Sequence, residues 1–334
     1  MSITEQKVSS AETISRLPWI DVMRGLAILA VILYHAHLQV SIGLGSGLGV
    51  LSSVDAAIRP FRMPVLMFLS GLLLPISLSK SREVYLKGKV FKIAWPYVVW
   101  SFINLSVLAA ASSIRGASIG AQDFLKVFYS PPTYHWYLAY LFIFYLIAFV
   151  LVRLPHLRTL SIPFSLGIAM IVGDDWRRAF FLWVFFMAGD TVSRWWSRIR
   201  KILESKFTVG ICALATLPAL IVSSQGYDVR YDPIWAVSVV AGVFALIPTM
   251  KALTQTSVGL PLGNIGRNSL VYYVVHYLTI TVVFHILVRF GVSNAVVLFL
   301  FSVSAPLTVG SLLVRIRDLS VVAWLFEWAP RRSR

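Results

Sequence analysis

Long apolar runs separated by short polar segments make up most of the sequence and predict a membrane protein. A transmembrane helix needs about 20 mostly apolar residues, because each residue rises only 1.5 Å along the helix axis. By this criterion the pattern predicts ten spans, at residues 19–41, 56–79, 93–112, 135–152, 159–173, 179–196, 207–224, 233–250, 268–288 and 294–314. We therefore expect an all-α fold, a polytopic integral membrane helix bundle of about ten transmembrane helices.

The Lys and Arg residues between the spans predict the orientation of the chain. Cytoplasmic loops of membrane proteins carry an excess of these residues. With the N-terminus inside, 21 of them fall on the inner side and 6 on the outer side. Both termini are therefore expected to be cytoplasmic. The expected domains are a cytoplasmic N-terminal segment 1–17, a transmembrane domain 18–315 and a cytoplasmic basic amphipathic tail 316–334 that lies along the inner interface.

Composition supports this class of protein and excludes others. Hydrophobic residues make up 58% and charged residues 13% of the 334-residue chain, and the mean hydropathy is +0.78. The net charge of +16 is explained by the inner loops, so nucleic acid is not an expected partner. The N-terminus lacks the apolar core of a cleaved signal peptide. Cys212 stands alone and the histidines show no metal-ligand spacing, so neither a disulfide nor a bound metal or cofactor is expected.

The first span carries two polar groups that are costly in an apolar setting. Arg24 and His35 are 11 residues apart, so in a helix they share one face within roughly 20° and stand about 16 Å apart along the axis. His37, by contrast, lies about 200° around the helix from His35. An Arg near the bilayer centre costs on the order of 3 kcal/mol or more, so Arg24 and His35 are candidate functional residues.

The second span contains Pro60, Pro64 and the pair Ser70–Gly71, which together predict an interrupted helix. Ser70 is a candidate substrate-binding residue. A Ser-Gly pair also lets helices pack closely, which is the alternative explanation for both residues. Arg59 and Arg62, at the outer end of this span, can simply extend to the outer headgroups.

Three lysines precede the third span. Lys87, Lys89 and Lys92 lie just inside the membrane, where they could bind the phosphates of a nucleotide-like cosubstrate. They are also explained as topology determinants, because positive charge concentrates in cytoplasmic segments. Both explanations stay open.

Two later segments carry candidate substrate contacts. His135 and Trp136 open the fourth span at the outer face, where an aromatic belt is the alternative explanation. In the ninth span, Ser269, Tyr273 and His276 recur at i, i+4 and i+7 and so form a polar ridge on one helix face. This ridge either shapes a substrate cavity or makes hydrogen bonds between helices.

Four motifs in chain order resemble those of the membrane acyltransferase 3 family. Arg24–Gly25 and His35 resemble the arginine and histidine signature of its first helix. The other three are RMPVLMFLSGLLL from Arg62, WYLAYLFIFYL from Trp136 and GRNSLVYYVVH from Gly266. Some members carry an aspartate where this chain has Pro64. The sequence looks more like the branch that includes O-acetyltransferases of surface polysaccharides.

The resemblance implies a reaction and its substrates. An acyl group, usually acetyl, passes from cytoplasmic acyl-CoA to a sugar hydroxyl of a cell-surface glycan or its lipid-linked precursor. Acetyl-CoA is thus a co-substrate, the acceptor is a saccharide, membrane lipids surround the enzyme, and the location is the bacterial inner membrane. Arg24 would pair with CoA phosphates or orient the donor, and His35 would act as the general base. Ser70 is the first serine to test for an acyl-enzyme.

Some relatives carry a C-terminal esterase-like soluble domain, for which this chain is too short. The transfer is therefore expected to be completed by the membrane unit or by a separate partner.

A transporter or flippase with a polar central path is the main alternative, because intramembrane Arg and His residues also mark ion and substrate routes. The halves show no self-similarity of the kind that many transporters have. A sensor or scaffold without turnover is the third hypothesis.

Overall fold

The computed structural model describes residues 17–45, 48–113, 119–131 and 133–328. Residues 1–16 of the predicted N-terminal segment and 329–334 of the predicted tail lie outside these ranges. The structure is 84% helical, and its described residues form no strand. The α-helices are α1 Pro18–Leu44, α2 Val50–Ile58, α3 Arg62–Leu72, α4 Leu74–Leu78, α5 Arg82–Lys89, α6 Trp95–Ser113, α7 Ala121–Leu125, α8 Trp136–Val150, α9 Pro155–Ile171, α10 Asp174–Leu203, α11 Lys206–Ser224, α12 Ala236–Leu253, α13 Gly259–Arg267, α14 Ser269–Arg289, α15 Ala295–Arg315 and α16 Ser320–Trp324.

Seven helical segments among the described residues are long and apolar enough to cross a membrane. They are Pro18–Leu44, Arg82–Ala111, Trp136–Arg153, Lys206–Ser224, Pro233–Leu253, Ser269–Arg289 and Ala295–Arg315. They correspond to the first, third, fourth and last four predicted spans. The prediction of an all-α polytopic membrane bundle is thereby confirmed. The number of ten spans and the cytoplasmic position of both termini stay predictions.

The other three predicted spans take different forms. The second is divided among α2, α3 and α4, with a break between Ile58 and Arg62. Pro60 lies in this break, and a proline cannot donate the backbone hydrogen bond that a continuous helix requires. The fifth predicted span lies in α9, which has 17 residues, and the sixth lies in α10, which has 30 residues and charged groups at both ends.

The chain divides into two compact units, the first of which contains the residues up to Ser81 together with Ile147–Ser269. Its most extensive helix contacts join α1 to α13 and α3 to α10. A Cβ atom on Gly25 of α1 would lie 1.9 Å from the Leu262 carbonyl oxygen of α13. Only glycine permits this approach, because any side chain would overlap the neighbouring backbone.

The contact between α3 and α10 is built in the same way. A Cβ atom on Gly71 would lie 1.9 Å from the Phe186 carbonyl oxygen, and one on Gly189 would lie 2.1 Å from that of Phe68. Two helices therefore cross backbone to backbone directly beside Ser70. This crossing holds α3 against α10 in spite of the break that separates α3 from α2.

The second unit contains Arg82–Leu146 and Leu270–Arg334. Within it, a π-helical turn, Val90–Ala94, joins α5 to α6. A π-helical turn carries one extra residue per hydrogen-bonded turn, and such turns occur frequently at functional sites. Lys92, one of the three candidate lysines, belongs to this turn.

The C-terminal segment folds back onto α6 in the same unit. The indole nitrogen of Trp95 donates to the Trp324 carbonyl oxygen at 2.8 Å, and that of Trp100 donates to Leu325 at 3.1 Å. Phe326 is completely buried, and its ring centroid lies 5.7 Å from that of Trp100. The aromatic residues of the predicted interfacial tail therefore pack against the protein's own helix, as far as the described residues extend.

Candidate functional site

Arg24 and His35 lie on α1 and differ in exposure. His35 is buried, with 6% of its surface exposed, and its ring packs edge-on against Tyr34 with 4.7 Å between centroids. The side chain of Arg24 is 18% exposed, and its Nη1 lies 3.9 Å from Asp21 Oδ1. The helix thus presents a buried imidazole and a more accessible guanidinium, about 16 Å apart along the axis.

A second arginine joins Arg24 at this end of the helix. Asp21 interacts electrostatically with both Arg24 and Arg267. Arg267 follows Gly266, where a Cβ atom would lie 1.8 Å from the Asp21 carbonyl oxygen. The close crossing of α1 and α13 therefore brings two guanidinium groups to one carboxylate. The excess positive charge suits an anionic ligand. Arg267 was not among the candidate residues predicted from the sequence, although it lies within the GRNSLVYYVVH motif.

Ser70 makes a local hydrogen bond. Its hydroxyl donates to the Leu66 carbonyl oxygen of its own helix at 2.8 Å. Because Gly71 beside it provides the close contact with α10, the structure supports a packing role for the Ser-Gly pair. Substrate binding by Ser70 stays a prediction.

The three candidate lysines lie in the second unit and already contact other side chains. Lys87 pairs with Glu83 at 2.5 Å, and Lys92 pairs with Glu327 of the C-terminal segment at 3.3 Å. Lys89 Nζ lies 3.4 Å from the centroid of the Tyr145 ring, within reach of a cation–π interaction. Lys87 and Lys92 are the exposed members of the three.

The structure brings His135, Tyr273 and His276 together in the second unit. His135 and His276 are almost fully buried, and the Tyr273 ring contacts both, with centroids 6.5 Å and 5.6 Å away. His135 Nε2 lies 3.3 Å from the Val274 carbonyl oxygen. Trp136 instead packs edge-on against Tyr140 at 5.5 Å. Tyr273 and His276 of the predicted ridge are thus part of a buried aromatic and imidazole cluster.

An ion network on the first unit was missed by the sequence analysis. Asp55 is buried, and its Oδ1 accepts a 2.8 Å hydrogen bond from Arg62. Arg59 lies 3.6 Å and His37 lies 3.7 Å from Oδ2 of the same carboxylate. Arg62 is also 4.2 Å from the Tyr34 ring centroid. Arg62 is thus held inside the protein by an acid, and the partly exposed Arg59 lies near the same carboxylate.

The loop after α11 continues this network. Arg230 donates hydrogen bonds to the Asp228 carboxylate, which lowers the pKa of Asp228 below its ordinary value. Asp228 also interacts electrostatically with Arg59. Tyr231, next in the chain after Arg230, has a φ of 58°. This left-handed conformation is an outlier for a bulky residue and often occurs near functional sites.

A second buried ion group joins α9 to α10. Asp190 is completely buried, and its two oxygens accept hydrogen bonds from Arg158 at 3.3 Å and Arg194 at 3.0 Å. Arg194 also donates to Thr159 of α9 at 2.7 Å. The sequence did not predict this group, because the Arg158 pairing crosses 32 residues of sequence. The Arg194 pairing is local, since it joins residues four apart on α10.

An apolar cavity of about 430 Å³ lies in the first unit, between α1, α3, α11 and α12. Met23, Ala30 and Leu217 are among its lining residues, and Arg62 is the one charged side chain in the lining. Neither Arg24 nor His35 contributes to it. Among the described residues, no group of three His, Cys, Asp or Glu side chains is arranged to hold a metal ion.

The comparison with protein families agrees with the motifs. The model of an acyltransferase domain, the domain of the membrane acyltransferase 3 family, matches residues 17–315. This range includes α1 to α15 and the four motifs. No curated protein and no solved structure matches the chain.

Proposed function

The chain belongs to the membrane acyltransferase 3 family, and we propose that it is an O-acyltransferase, with acetyl as the group transferred. The donor is cytoplasmic acyl-CoA, and the acceptor is a sugar hydroxyl of a cell-surface glycan or its lipid-linked precursor. The bacterial inner membrane is the proposed location.

The arrangement of Arg24 and His35 on one face of α1 carries the proposal. A guanidinium that is partly exposed beside Arg267 suits the phosphates of a CoA donor, because charge-assisted hydrogen bonds to phosphate are strong and directional. A buried imidazole farther along the same face suits proton transfer in a site from which water is excluded. One helix thus offers a place for the donor and a place for the reaction.

In the proposed reaction His35 accepts the proton of the sugar hydroxyl. The hydroxyl oxygen attacks the thioester carbonyl carbon, the new carbon–oxygen bond forms, and the carbon–sulfur bond breaks. The proton held by the imidazole then passes to the departing thiolate, which leaves as free CoA. His35 returns to its neutral form, so one base completes the cycle.

The remaining candidate residues are proposed as further contacts of the two substrates. Lys87, Lys89 and Lys92 are proposed to bind donor phosphates on the cytoplasmic side. The acceptor is proposed to contact His135, Trp136, Tyr273 and His276, with Ser70 as a further contact. The exposed positions of Lys87 and Lys92 support the assignment to the donor, because a soluble cosubstrate must reach them.

Substitution of His35 tests the proposed base. Purified protein is incubated with radiolabelled acetyl-CoA and a saccharide acceptor, and acetyl transfer is measured. We expect His35→Ala to reduce the rate by about 10²–10⁴-fold, the usual contribution of a positioned general base. His285→Ala removes an exposed histidine from α14 and serves as the control. Full activity of His35→Ala would contradict the assignment.

Substitution of Arg24 tests the proposed donor contact. We expect Arg24→Ala to raise the KM for acetyl-CoA roughly tenfold or more, because a hydrogen bond to a charged group contributes about 1.5–3 kcal/mol. The KM for the saccharide should change little. An unchanged KM for acetyl-CoA would place the donor elsewhere.

A further inference from the structure

Three residues at the far end of α1 form an arrangement that the proposed transferase reaction does not use. The Ser52 hydroxyl lies 3.0 Å from His37 Nε2. On the other side of the same ring, His37 Nδ1 lies 3.7 Å from Asp55 Oδ2. Ser52 and Asp55 are three residues apart on α2 and therefore share one helix face. The order hydroxyl, imidazole, carboxylate is that of a nucleophile, its base and the group that orients the base.

The carboxylate of Asp55 is fixed by the groups around it. Its Oδ1 accepts a 2.8 Å hydrogen bond from Arg62, and Arg62 also donates to the Ala30 carbonyl oxygen at 3.2 Å. Arg59 lies 3.6 Å from Oδ2, the oxygen that faces His37. These contacts hold the Asp55 carboxylate in place beside the imidazole.

The position of this carboxylate determines which ring nitrogen of His37 carries the proton. An Nδ1–H directed at the carboxylate is favoured, and Nε2 is then the nitrogen with the lone pair. Nε2 is the atom that faces the Ser52 hydroxyl. The separation of 3.7 Å between Nδ1 and Oδ2 exceeds a hydrogen bond, but such contacts are often long without substrate and tighten in the complex.

The three side chains differ in solvent exposure. A nucleophilic site requires an accessible nucleophile and a shielded base, and this is the order found here. His37 and Asp55 are buried, with 9% and 5% of their surfaces exposed. Ser52 is half-buried and is the most accessible member. A substrate can thus approach the hydroxyl while the base and the carboxylate are shielded from water.

We propose that Ser52, His37 and Asp55 form a second catalytic site, which hydrolyses carboxylic esters of small acyl groups. Ser52 is the nucleophile, His37 is the general base, and Asp55 is the positioning residue. In the predicted topology this site faces the outer side of the membrane, the side of the proposed sugar acceptor. The chain then both forms and removes acyl esters, and the second activity is independent of acyl-CoA.

The proposed hydrolysis proceeds in two balanced steps. The Ser52 oxygen attacks the ester carbonyl carbon while its proton passes to His37. The bond to the alkoxy oxygen breaks, the alcohol leaves with that proton, and the acyl group stays on Ser52. Water then attacks the acyl-serine carbonyl and gives a proton to His37. The carboxylic acid leaves, and the proton returns to the Ser52 oxygen.

Helix geometry separates this site from the proposed transferase site. His37 lies about 200° around α1 from His35, so the two imidazoles point to different sides of the helix. One small substrate cannot contact both. The ester hydrolase activity is therefore expected to survive His35→Ala, and the two proposals can fail independently.

A fluorophosphonate probe tests for the nucleophile directly. An activated serine displaces fluoride from the probe and stays phosphonylated, so the modified residue can be identified by mass spectrometry. We expect purified full-length protein to be modified at Ser52 and to release nitrophenol from p-nitrophenyl acetate. Ser52→Ala should abolish the modification and lower the hydrolysis at least about 100-fold. This substitution removes a single hydroxyl group from a half-buried position, so the fold should stay intact.

Two variants control for reactivity of the surrounding region. Ser53→Ala alters the exposed neighbouring serine and should leave both readouts unchanged. His37→Gln keeps a polar group but no base, and should slow both reactions on the order of 100-fold or more. Absence of modification at Ser52, or equal hydrolysis by wild type and Ser52→Ala, would refute the second site. Neither result would affect the transferase proposal, which His35→Ala tests.

Discussion

At the scale of single residues, a glycine beside a charged or polar residue sets how closely two helices approach. Gly25 follows Arg24, Gly266 precedes Arg267, and the crossing of α1 and α13 brings the two glycines together. The glycines position the arginines, and the arginines supply the charge. Loss of activity after substitution in this motif therefore has two separable causes, one in packing and one in chemistry.

Gly25→Ala isolates the packing cause. A Cβ atom at this position would lie 1.9 Å from the Leu262 carbonyl oxygen, so α1 and α13 must move apart. We expect a loss of about 1–3 kcal/mol, typical of an overpacked contact. The measurement is the Tm of the purified protein in detergent.

Gly210→Ala is the matched control for this substitution. It places the same methyl group on α11, where nothing lies within 4 Å. Alanine is the better helix former by about 1 kcal/mol, so the Tm of this variant should stay the same or rise. Equal Tm values for Gly25→Ala and wild type would show that the helices do not need the close approach.

At the scale of elements, the C-terminal segment shows how aromatic residues hold a short helix. α16 has five residues, Ser320–Trp324, too few for a helix that is stable by itself. Its support comes from α6, through the bonds of Trp95 and Trp100 and the burial of Phe326. Lys92 of the π-helical turn also pairs with Glu327. Release of this segment would therefore alter the surroundings of a proposed donor contact.

Phe326→Ala should release the C-terminal segment. Removal of a fully buried Phe side chain costs about 3–5 kcal/mol, and a five-residue helix cannot compensate for that loss. We expect trypsin to cut faster after Arg315 and Arg317, as measured by gel or mass spectrometry. Val321→Ala, at a position that is 76% exposed, should be cut at the rate of the wild type. Equal protection of both variants would show that the segment is held by other contacts.

The sequence predicts a structural element well when neighbouring residues determine that element, and poorly when contacts between distant helices determine it. The apolar run from residue 19 to 41 predicts α1 well, because the length of such a run sets the length of a membrane helix. The prolines of the second span predict its interruption, since their effect on the backbone is also local. The arrangement of Ser52, His37 and Asp55 could not be predicted. It depends on how α2 turns back against α1, which hydrophobic periodicity does not encode.

At the scale of the whole molecule, the distribution of positive charge predicts the orientation of the chain. The predicted inner segments carry 21 Lys and Arg residues and the outer segments carry 6. This difference matters functionally because the proposed donor is cytoplasmic and the proposed acceptor is on the outer side. An inverted chain would place Arg24 on the side that lacks acyl-CoA.

Cysteine accessibility tests the orientation, because Cys212 is the one native cysteine. In a Cys212→Ser background, Tyr227→Cys introduces a thiol in the exposed loop after α11, and Ser197→Cys introduces one near the end of α10. We expect a membrane-impermeant maleimide to label Tyr227→Cys in intact cells and Ser197→Cys only after permeabilisation. Cysteines at Ser2 and Ser333 should behave like Ser197→Cys. Labelling of the two termini from opposite sides would contradict the even number of spans. Labelling of Ser197→Cys in intact cells would show that the chain has the opposite orientation. The proposed direction of acyl transfer across the membrane would then also be wrong.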